Sequence, residues 1–183
     1  PDSSESDTAD ILHGGNFQGQ QVAFAADALN AVLTQVGVLA ERQIALLLTP
    51  DRTGAPPLLA WTPGPTSGLA GAQLTATSLV AELRHDAQMS ATASLPTNGG
   101  NQDVVSMGAM AARRAYEQTD RVASILAVVG LALAQLTHLR SAGRAEGPAP
   151  EPPPWMPAVN PIIDDRPLRG EIADLARRWM SPA

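Results

Sequence analysis

The residues best suited to chemistry in this sequence lie in an amide-rich stretch, Pro96–Asp103 (PTNGGNQD). It carries the carboxamides of Asn98, Asn101 and Gln102 and the carboxylate of Asp103 around two glycines. Carboxamides donate and accept hydrogen bonds without carrying charge, which suits a zwitterionic ligand with an amine and a carboxylate. The start of a following helix would favour the ligand's negative group. The same residue types also cap helices, so residue types alone leave both interpretations open.

Other familiar catalytic patterns are missing from the sequence. Its three histidines, His13, His85 and His138, lie in three different predicted elements and lack metal-ligand spacing. There is no cysteine, which excludes a thiol nucleophile and a cysteine metal site. Gly14-Gly15 lacks the setting of a nucleotide loop, and the stretch 66–68 lacks the first glycine of a nucleophile elbow. The sequence therefore predicts no metal site and no self-contained enzyme.

Composition narrows the class of protein further. The 183 residues carry a net charge of −6 and are 44% hydrophobic but only 3% aromatic. Scattered basic residues in an acidic chain argue against nucleic-acid binding. No run reaches about 18 uninterrupted apolar residues, so we expect no membrane partner. The lack of cysteine fits a cytoplasmic location. The chain begins at Pro1 without a signal-peptide pattern, and we expect a processed product or a piece of something larger.

Apolar residues recur at helical spacing along most of the chain, which predicts an all-α fold. The sequence divides into a flexible lead-in (1–12), a helical part (13–140), a Pro-rich loop (141–160) and a C-terminal segment with a short helix (161–183). Within these parts the predicted helices span residues 20–48, 69–85, 102–140 and 166–180. An irregular stretch (51–68) and a loop (90–101) connect them.

The predicted helix over 102–140 is too long for a compact chain of this size. About 39 residues of helix span nearly 60 Å, whereas a globule of this length has a radius of gyration of about 16 Å. Its apolar face therefore needs neighbouring helices from elsewhere. The sequence predicts long helices that join a multi-subunit central bundle.

Several motifs occur together and in order. They are HGGNFQGQQVAFAADAL (13–29), LAERQIALLL (39–48), SGLAGAQLTATSLVAEL (67–83), PTNGGNQDVVSMGAMAARR (96–114) and DDRPLRGEIADLA (164–176). In these the chain resembles the C-terminal portion of the aromatic amino-acid ammonia-lyases and related aminomutases. That family contains histidine, phenylalanine and tyrosine ammonia-lyases, and the pattern is nearest to the bacterial tyrosine/phenylalanine type.

The resemblance implies an all-α homotetramer with active sites built from several subunits. It also implies an electrophilic methylidene-imidazolone (MIO), formed from an Ala-Ser-Gly tripeptide, and loss of a β-proton and ammonia from an amino-acid substrate. This sequence contains no Ala-Ser-Gly. We therefore expect the MIO to form in a companion chain, an N-terminal-half lyase chain, with which this chain assembles into a higher oligomer.

The resemblance also carries roles to individual residues. Phe17 matches a phenylalanine lying over the prosthetic group, so it is expected to take part in catalysis and cofactor binding. Asn98, Asn101 and Gln102 match polar residues facing the substrate, with Asn98 also facing the cofactor and Gln102 also taking part in catalysis. Gln102 stands where histidine lyases carry a glutamate, and Val104 where they carry a histidine. A neutral amide lacks the charge-assisted bond of a carboxylate, which favours Phe or Tyr as substrate.

Four positions depart from the family pattern, and the side chains at these positions are smaller than those usual in the family. They are Leu59, Thr66, Leu69 and Ala70. Because these changes alter the pocket, two alternatives stay open. The chain could belong to an aminomutase or another biosynthetic enzyme on the same scaffold, which product analysis would separate from a lyase. It could instead be a non-catalytic scaffold or regulatory subunit, which a companion without Ala-Ser-Gly would favour.

Overall fold

The computed structural model describes residues 14–149, 151, 154, 156 and 158–181. They form helices α1 (Gln20–Leu47), α2 (Pro50–Thr53), α3 (Ala70–Asp86), α4 (Gly108–Ser141) and α5 (Arg169–Met180). Short 3₁₀ turns cover Gly15–Gln18, Pro57–Leu59, Ser90–Thr92 and Asn98–Gly100. Within these ranges the chain forms no strand, only isolated bridges, and the predicted all-α fold is confirmed. The predicted flexible lead-in (1–12) lies outside the described residues.

Two predicted helix starts are wrong. α4 begins at Gly108 rather than Gln102, because Thr97 and Gln102 pair backbone to backbone and Met107 adopts a left-handed φ of 54°. The pairing closes residues 97–102 into a small loop that cannot continue as helix. α5 begins at Arg169, so Pro167 precedes the helix instead of lying in its first turn. The other predicted helices end within a residue or two of the observed bounds.

Three helices pack side by side to form the framework. Asn30 Nδ2 donates to the Ala111 carbonyl at 3.5 Å, and further along α1 Thr34 Oγ1 lies 3.4 Å from Gln118 Oε1. These pairs advance together, so α1 and α4 run parallel. Thr34 Oγ1 also donates to the Leu83 carbonyl, whereas Thr77 near the start of α3 reaches Glu41 far along α1. α3 therefore runs antiparallel to both neighbours.

The core between these helices is built from leucine, isoleucine, valine and alanine. Its largest fully buried apolar side chains are Ile44, Leu59, Leu69, Leu83, Ile125, Leu131, Leu139 and Val128. Two positions that depart from the family pattern, Leu59 and Leu69, belong to this core. A Cβ built on Gly37 would overlap the Cδ1 atom of Leu83, so the Leu83 side chain packs directly against α1 at this glycine.

The C-terminal segment is tied to the start of α3 by one carboxylate. Asp165 accepts hydrogen bonds from the Ser67 hydroxyl at 2.6 Å and from the backbone N–H groups of Ser67 and Gly68. Gly68 has a φ of 54°, and a Cβ there would lie 2.5 Å from the Leu58 carbonyl oxygen. Glycine is therefore required at this junction. The Ser67 hydroxyl, followed by the backbone donors, lowers the pKa of Asp165 below its usual value.

Two helices, α1 and α4, are long and apolar enough to cross a membrane by length and composition. The most apolar stretch of α4 is 67% buried inside the protein, as is usual for a core helix. The corresponding stretch of α1 is only 22% buried. The expectation that the chain has no membrane partner stays a prediction.

Candidate functional site

Phe17, Asn101 and Gln102, three of the four predicted site residues, line one cavity of about 480 Å³. Phe17 reaches it from the first 3₁₀ turn, whereas Asn101 and Gln102 reach it from the loop before α4. The parallel packing of α1 and α4 explains this convergence, because it places the two helix starts side by side. A Cβ built on Gly108 would lie 3.7 Å from the Gly19 carbonyl oxygen. Residues far apart in sequence therefore share one wall.

The Phe17 ring lies almost entirely in solvent. Its relative exposure is 94%, although large apolar side chains normally gain about 1.5–3 kcal/mol from burial. A phenylalanine left uncovered in a cavity wall is free to pack against a flat ligand or against another polypeptide. The position therefore fits a contact role better than a role in this chain's own core.

Thr97 sets which end of the Gln102 carboxamide is available. The Thr97 hydroxyl donates to Gln102 Oε1 at 3.1 Å. The backbones of the two residues bond reciprocally, with Thr97 N 2.9 Å from the Gln102 carbonyl oxygen. The Thr97 hydroxyl uses one of the two lone pairs of Oε1, while the Nε2 amino group keeps its hydrogens to donate to a ligand. The wall therefore offers an uncharged donor at this point.

We name the stretch Pro96–Asp103 the amide loop. Its other two amide residues, Asn101 and Asn98, lie in different surroundings. Asn101 lines the cavity beside Gln102. Asn98 adopts a left-handed φ of 52° and is exposed, and it does not belong to the cavity lining. Its predicted contact with substrate and cofactor stays a prediction that this cavity does not support.

The alternative in which the loop caps the following helix is wrong. α4 begins several residues after Asp103, and among the described residues the only side chain bonded to its first N–H is that of Ser106, 3.4 Å from Gly108 N, and not that of Asn98, Asn101 or Asp103. Asp103 Oδ1 instead accepts from the adjacent Val104 N–H at 2.9 Å. The side chains of Asn98, Asn101 and Asp103 therefore do not cap α4. A ligand bound by these amides would not lie at the start of that helix.

Gln18, Val105 and Ser106 complete the wall, and sequence reasoning assigned none of them a role. Ser94 was missed as well: its hydroxyl accepts from the Val105 N–H at 2.8 Å and closes the base of the loop. All of these residues except Ser94 fall inside the quoted motifs, which was the available signal. Residue types alone do not reveal which residues lie beside the cavity, because that depends on how the loop folds.

The cavity lining carries one carboxylate, Asp103, and no basic side chain among the described residues. A ligand carboxylate bound here would have amide donors but no cation to pair with. The described residues also form no cluster of three histidine, aspartate or glutamate side chains that could hold a metal. A complete site for an amino acid therefore requires charged groups from outside this wall.

A larger cavity of about 680 Å³ lies elsewhere, between α3, α4 and the start of α5. Gly71, Thr75, Ser124 and Ile172 are among its lining residues, and Asp165 lies at its edge. None of the predicted site residues reaches it. Its lining combines small and apolar residues with the charged residues Asp165, Arg166 and Arg169, and its size alone assigns it no chemistry.

Comparison with known proteins assigns the family. The family described as aromatic amino acid lyase matches residues 2–152. The chain belongs to the aromatic amino acid lyase family.

Relatives of known name cover nearly all of this chain but only a part of their own. Tyrosine ammonia-lyase of Cereibacter sphaeroides is 48% identical over 172 residues, which is 90% of this chain and 32% of that protein. Histidine ammonia-lyase of Aromatoleum aromaticum is 44% identical, over 87% of this chain and 29% of the relative. The crystal structure of tyrosine aminomutase from Streptomyces globisporus superposes with a TM-score of 0.77 at 40% identity, covering 94% and 33% of the two chains. The chain thus spans about a third of the length of these relatives.

Proposed function

We propose that this chain supplies one wall of the active site of an ammonia-lyase that removes ammonia from Tyr- or Phe-type amino acids. The remaining wall, with the MIO group, comes from a companion chain that carries Ala-Ser-Gly. One observation carries the proposal: Phe17 and the amides of Asn101 and Gln102 line the same cavity of this chain, which belongs to the family. Family membership supports the class of reaction, and the cavity supports the assignment of residues.

The residues of this wall fit the MIO group. An imidazolone is flat, uncharged and carries a carbonyl oxygen, and the wall offers an exposed phenyl ring together with uncharged amide donors. When bound, the group supplies an electrophilic carbon. Phe17 would cover its face and exclude water, while Asn101 and the Nε2 group of Gln102 would donate hydrogen bonds that orient the ligand.

Gln102 favours an aromatic substrate over histidine. Its carboxamide is neutral, and the Thr97 hydroxyl donates to its Oε1. The protonated imidazole of histidine would meet a neutral amide here instead of a carboxylate, which loses the charge-assisted bond. Val104, a second lining residue, adds an apolar surface next to it. Both features support a ring without a positive charge.

The exposed face of α1 supports assembly with further chains. Apolar residues stand at seven-residue intervals along it in two rows, and together they form what we name the α1 seam: Val22, Leu29 and Val36, with Val32, Leu39 and Leu46. Each of these side chains is at least 38% exposed. Such heptad spacing is typical of helices that pack along one another. We therefore propose that the α1 seam packs in a multi-chain helical bundle.

The function is tested by co-purifying the chain with an N-terminal-half lyase chain that carries Ala-Ser-Gly. The complex is then given phenylalanine, tyrosine or histidine, and cinnamate, coumarate or urocanate is followed by absorbance. We expect product from phenylalanine or tyrosine. A companion with alanine in place of the tripeptide serine serves as control and is expected to be inactive. A well-formed complex that makes no product from any aromatic amino acid would contradict the proposal.

An aminomutase is the second candidate. A tyrosine aminomutase is among the similar solved structures, and Leu59 and Leu69, which depart from the family pattern, are core residues. Mass spectrometry of the products separates the two reactions, since a mutase yields a β-amino acid and retains the nitrogen.

A further inference from the structure

Asp27 is a carboxylate that the fold buries in an unusual place. It lies on α1, is only 5% exposed, and both of its oxygens accept backbone hydrogen bonds. Oδ1 accepts from the Ser90 N–H at 3.1 Å and Oδ2 from the Ala91 N–H at 2.9 Å. Burying a carboxylate is costly unless its oxygens are fully used. Both oxygens of Asp27 therefore bind one feature, the start of the turn Ser90–Thr92.

That turn is the fixed end of the segment that carries the site amides. On its other side, Arg114 of α4 donates to the Gln88 carbonyl at 3.3 Å and to the Ser90 hydroxyl at 3.2 Å. The base of the amide loop is closed by the Val105 N–H bond to the Ser94 hydroxyl. The amide loop thus follows a turn, Ser90–Thr92, that is held between α1 and α4. Its far end, at Val105, returns to Ser94 beside that turn before α4 begins.

We propose that Asp27 is a positioning residue: through Ser90 and Ala91 it sets where the amides of Asn101 and Gln102 stand opposite Phe17. Phe17 leads directly into α1, the helix that bears Asp27, so one rigid element holds both sides of the wall. The role in substrate binding rests on the function proposed above. The hold on the loop rests on the geometry alone.

Glu41 offers a matched control on the same helix. It is 4% exposed and accepts from the Thr77 hydroxyl at 3.2 Å, and it also pairs with Arg42. Like Asp27, it is a buried carboxylate of α1 that contacts a second element. Unlike Asp27, it joins α1 to α3 and makes no hydrogen bond to the turn Ser90–Thr92. If burial of a carboxylate on α1 were all that mattered, the two substitutions would have the same effect.

The test measures backbone hydrogen exchange in the full chain for Asp27→Asn, Asp27→Ala and Glu41→Gln. Asp27→Asn is the main variant, because it keeps the size of the side chain while its Nδ2 group cannot accept. Hydrogen bonds to charged groups are strong enough that losing one speeds local opening about tenfold. We expect exchange at Ser90, Ala91 and Val105 to rise by about that factor in Asp27→Asn, with the α1 and α4 interiors unchanged. Glu41→Gln should leave these three amides as they are.

The second arm measures KM and kcat of the assembled complex. We expect Asp27→Asn to lower kcat/KM by about tenfold, mostly through KM, because the displaced amides bind substrate. Glu41→Gln should change neither constant. Unchanged exchange at Ser90 and Ala91, equal acceleration along the whole chain, or an unchanged KM would each overturn the proposal. If the unsubstituted complex is inactive, the proposed function fails, while the exchange arm still decides whether Asp27 holds the loop.

Discussion

The residues that carry the candidate site contribute little to holding the chain together. Phe17 is almost fully exposed, and Asn101 and Gln102 are exposed as well. The buried polar residues instead connect elements of the fold: Asp27 joins α1 to the turn Ser90–Thr92, and Asn30 joins α1 to α4. This separation is expected where a wall is completed by other polypeptides, because its contact groups must stay uncovered until assembly.

Replacing Phe17 with alanine should separate stability from function. Because the ring is 94% exposed, we expect Phe17→Ala to change the free energy of unfolding by less than about 0.5 kcal/mol. Product formation by the assembled complex should fall sharply, since the cavity loses its aromatic face. Urea unfolding of the chain and a product assay of the complex measure the two effects.

Leu139→Ala is the comparison for that experiment. Leu139 is fully buried, so its truncation should cost about 2–5 kcal/mol. A Phe17→Ala variant that is destabilised as strongly as Leu139→Ala would show that the ring belongs to the core and would contradict its assigned role.

At the scale of elements, connections between helices depend on single polar contacts. Asp165 joins the C-terminal segment to the start of α3, as Asp27 joins α1 to the turn before the amide loop. In each case a carboxylate accepts successive backbone N–H groups that precede or begin a helical turn. Such bonds decide how an element is positioned, whereas apolar packing decides that it forms.

The Asp165 contact should weaken in acid. Its pKa is lowered in the folded chain, first by the Ser67 hydroxyl and then by backbone donors. The resulting stabilisation is fully present above the usual value of 3.8 and is lost as the pH falls through the lower folded value. We therefore expect Asp165→Asn to reduce stability at neutral pH and to flatten the decline between about pH 2 and 5.

Urea unfolding across that range measures the effect. Asp164→Asn is the control, because the Asp164 side chain is exposed and makes no hydrogen bond within the part of the chain that the structure describes. An Asp165→Asn variant with the same acid dependence as the unsubstituted chain would show that the contact is not formed in solution.

For the whole molecule, the long helices have more apolar surface than the rest of this chain covers. α1 has 28 residues and α4 has 34, about 42 and 51 Å of helix. α4 is largely buried, yet α1 leaves the seam of valines and leucines in solvent. An exposed apolar surface of this kind supports the proposed packing of the seam against another chain.

Charges placed in the α1 seam should therefore disrupt assembly. We expect the double substitution Val32→Glu and Leu39→Glu to lower the mass measured by light scattering while the helical content of the chain is retained. Ser181→Glu, which adds a charge at the exposed end of α5, should leave the mass unchanged. If the double variant keeps the parent's mass, the seam is not the interface.

Much of the fold and part of the site could be predicted from the sequence. Apolar spacing predicted α1 and α3 closely, because a helix periodicity is a local property. The motifs pointed to Phe17 and Gln102 as site residues, but not to their meeting in one cavity. The start of α4 was misplaced because the pairing of Thr97 with Gln102 and the left-handed Met107 leave no mark in hydrophobic periodicity.

By itself, the sequence determined the helical class, the family and the chemical character of the amides, since these follow from residue types and their order. Only the tertiary structure decided which of those residues share a wall, that Asn98 stands outside it, and that Asp27 is buried. An aspartate on a helix is usually solvated. Whether it faces water or a neighbouring turn depends on which helices pack against it, and such contacts join residues that are distant along the chain.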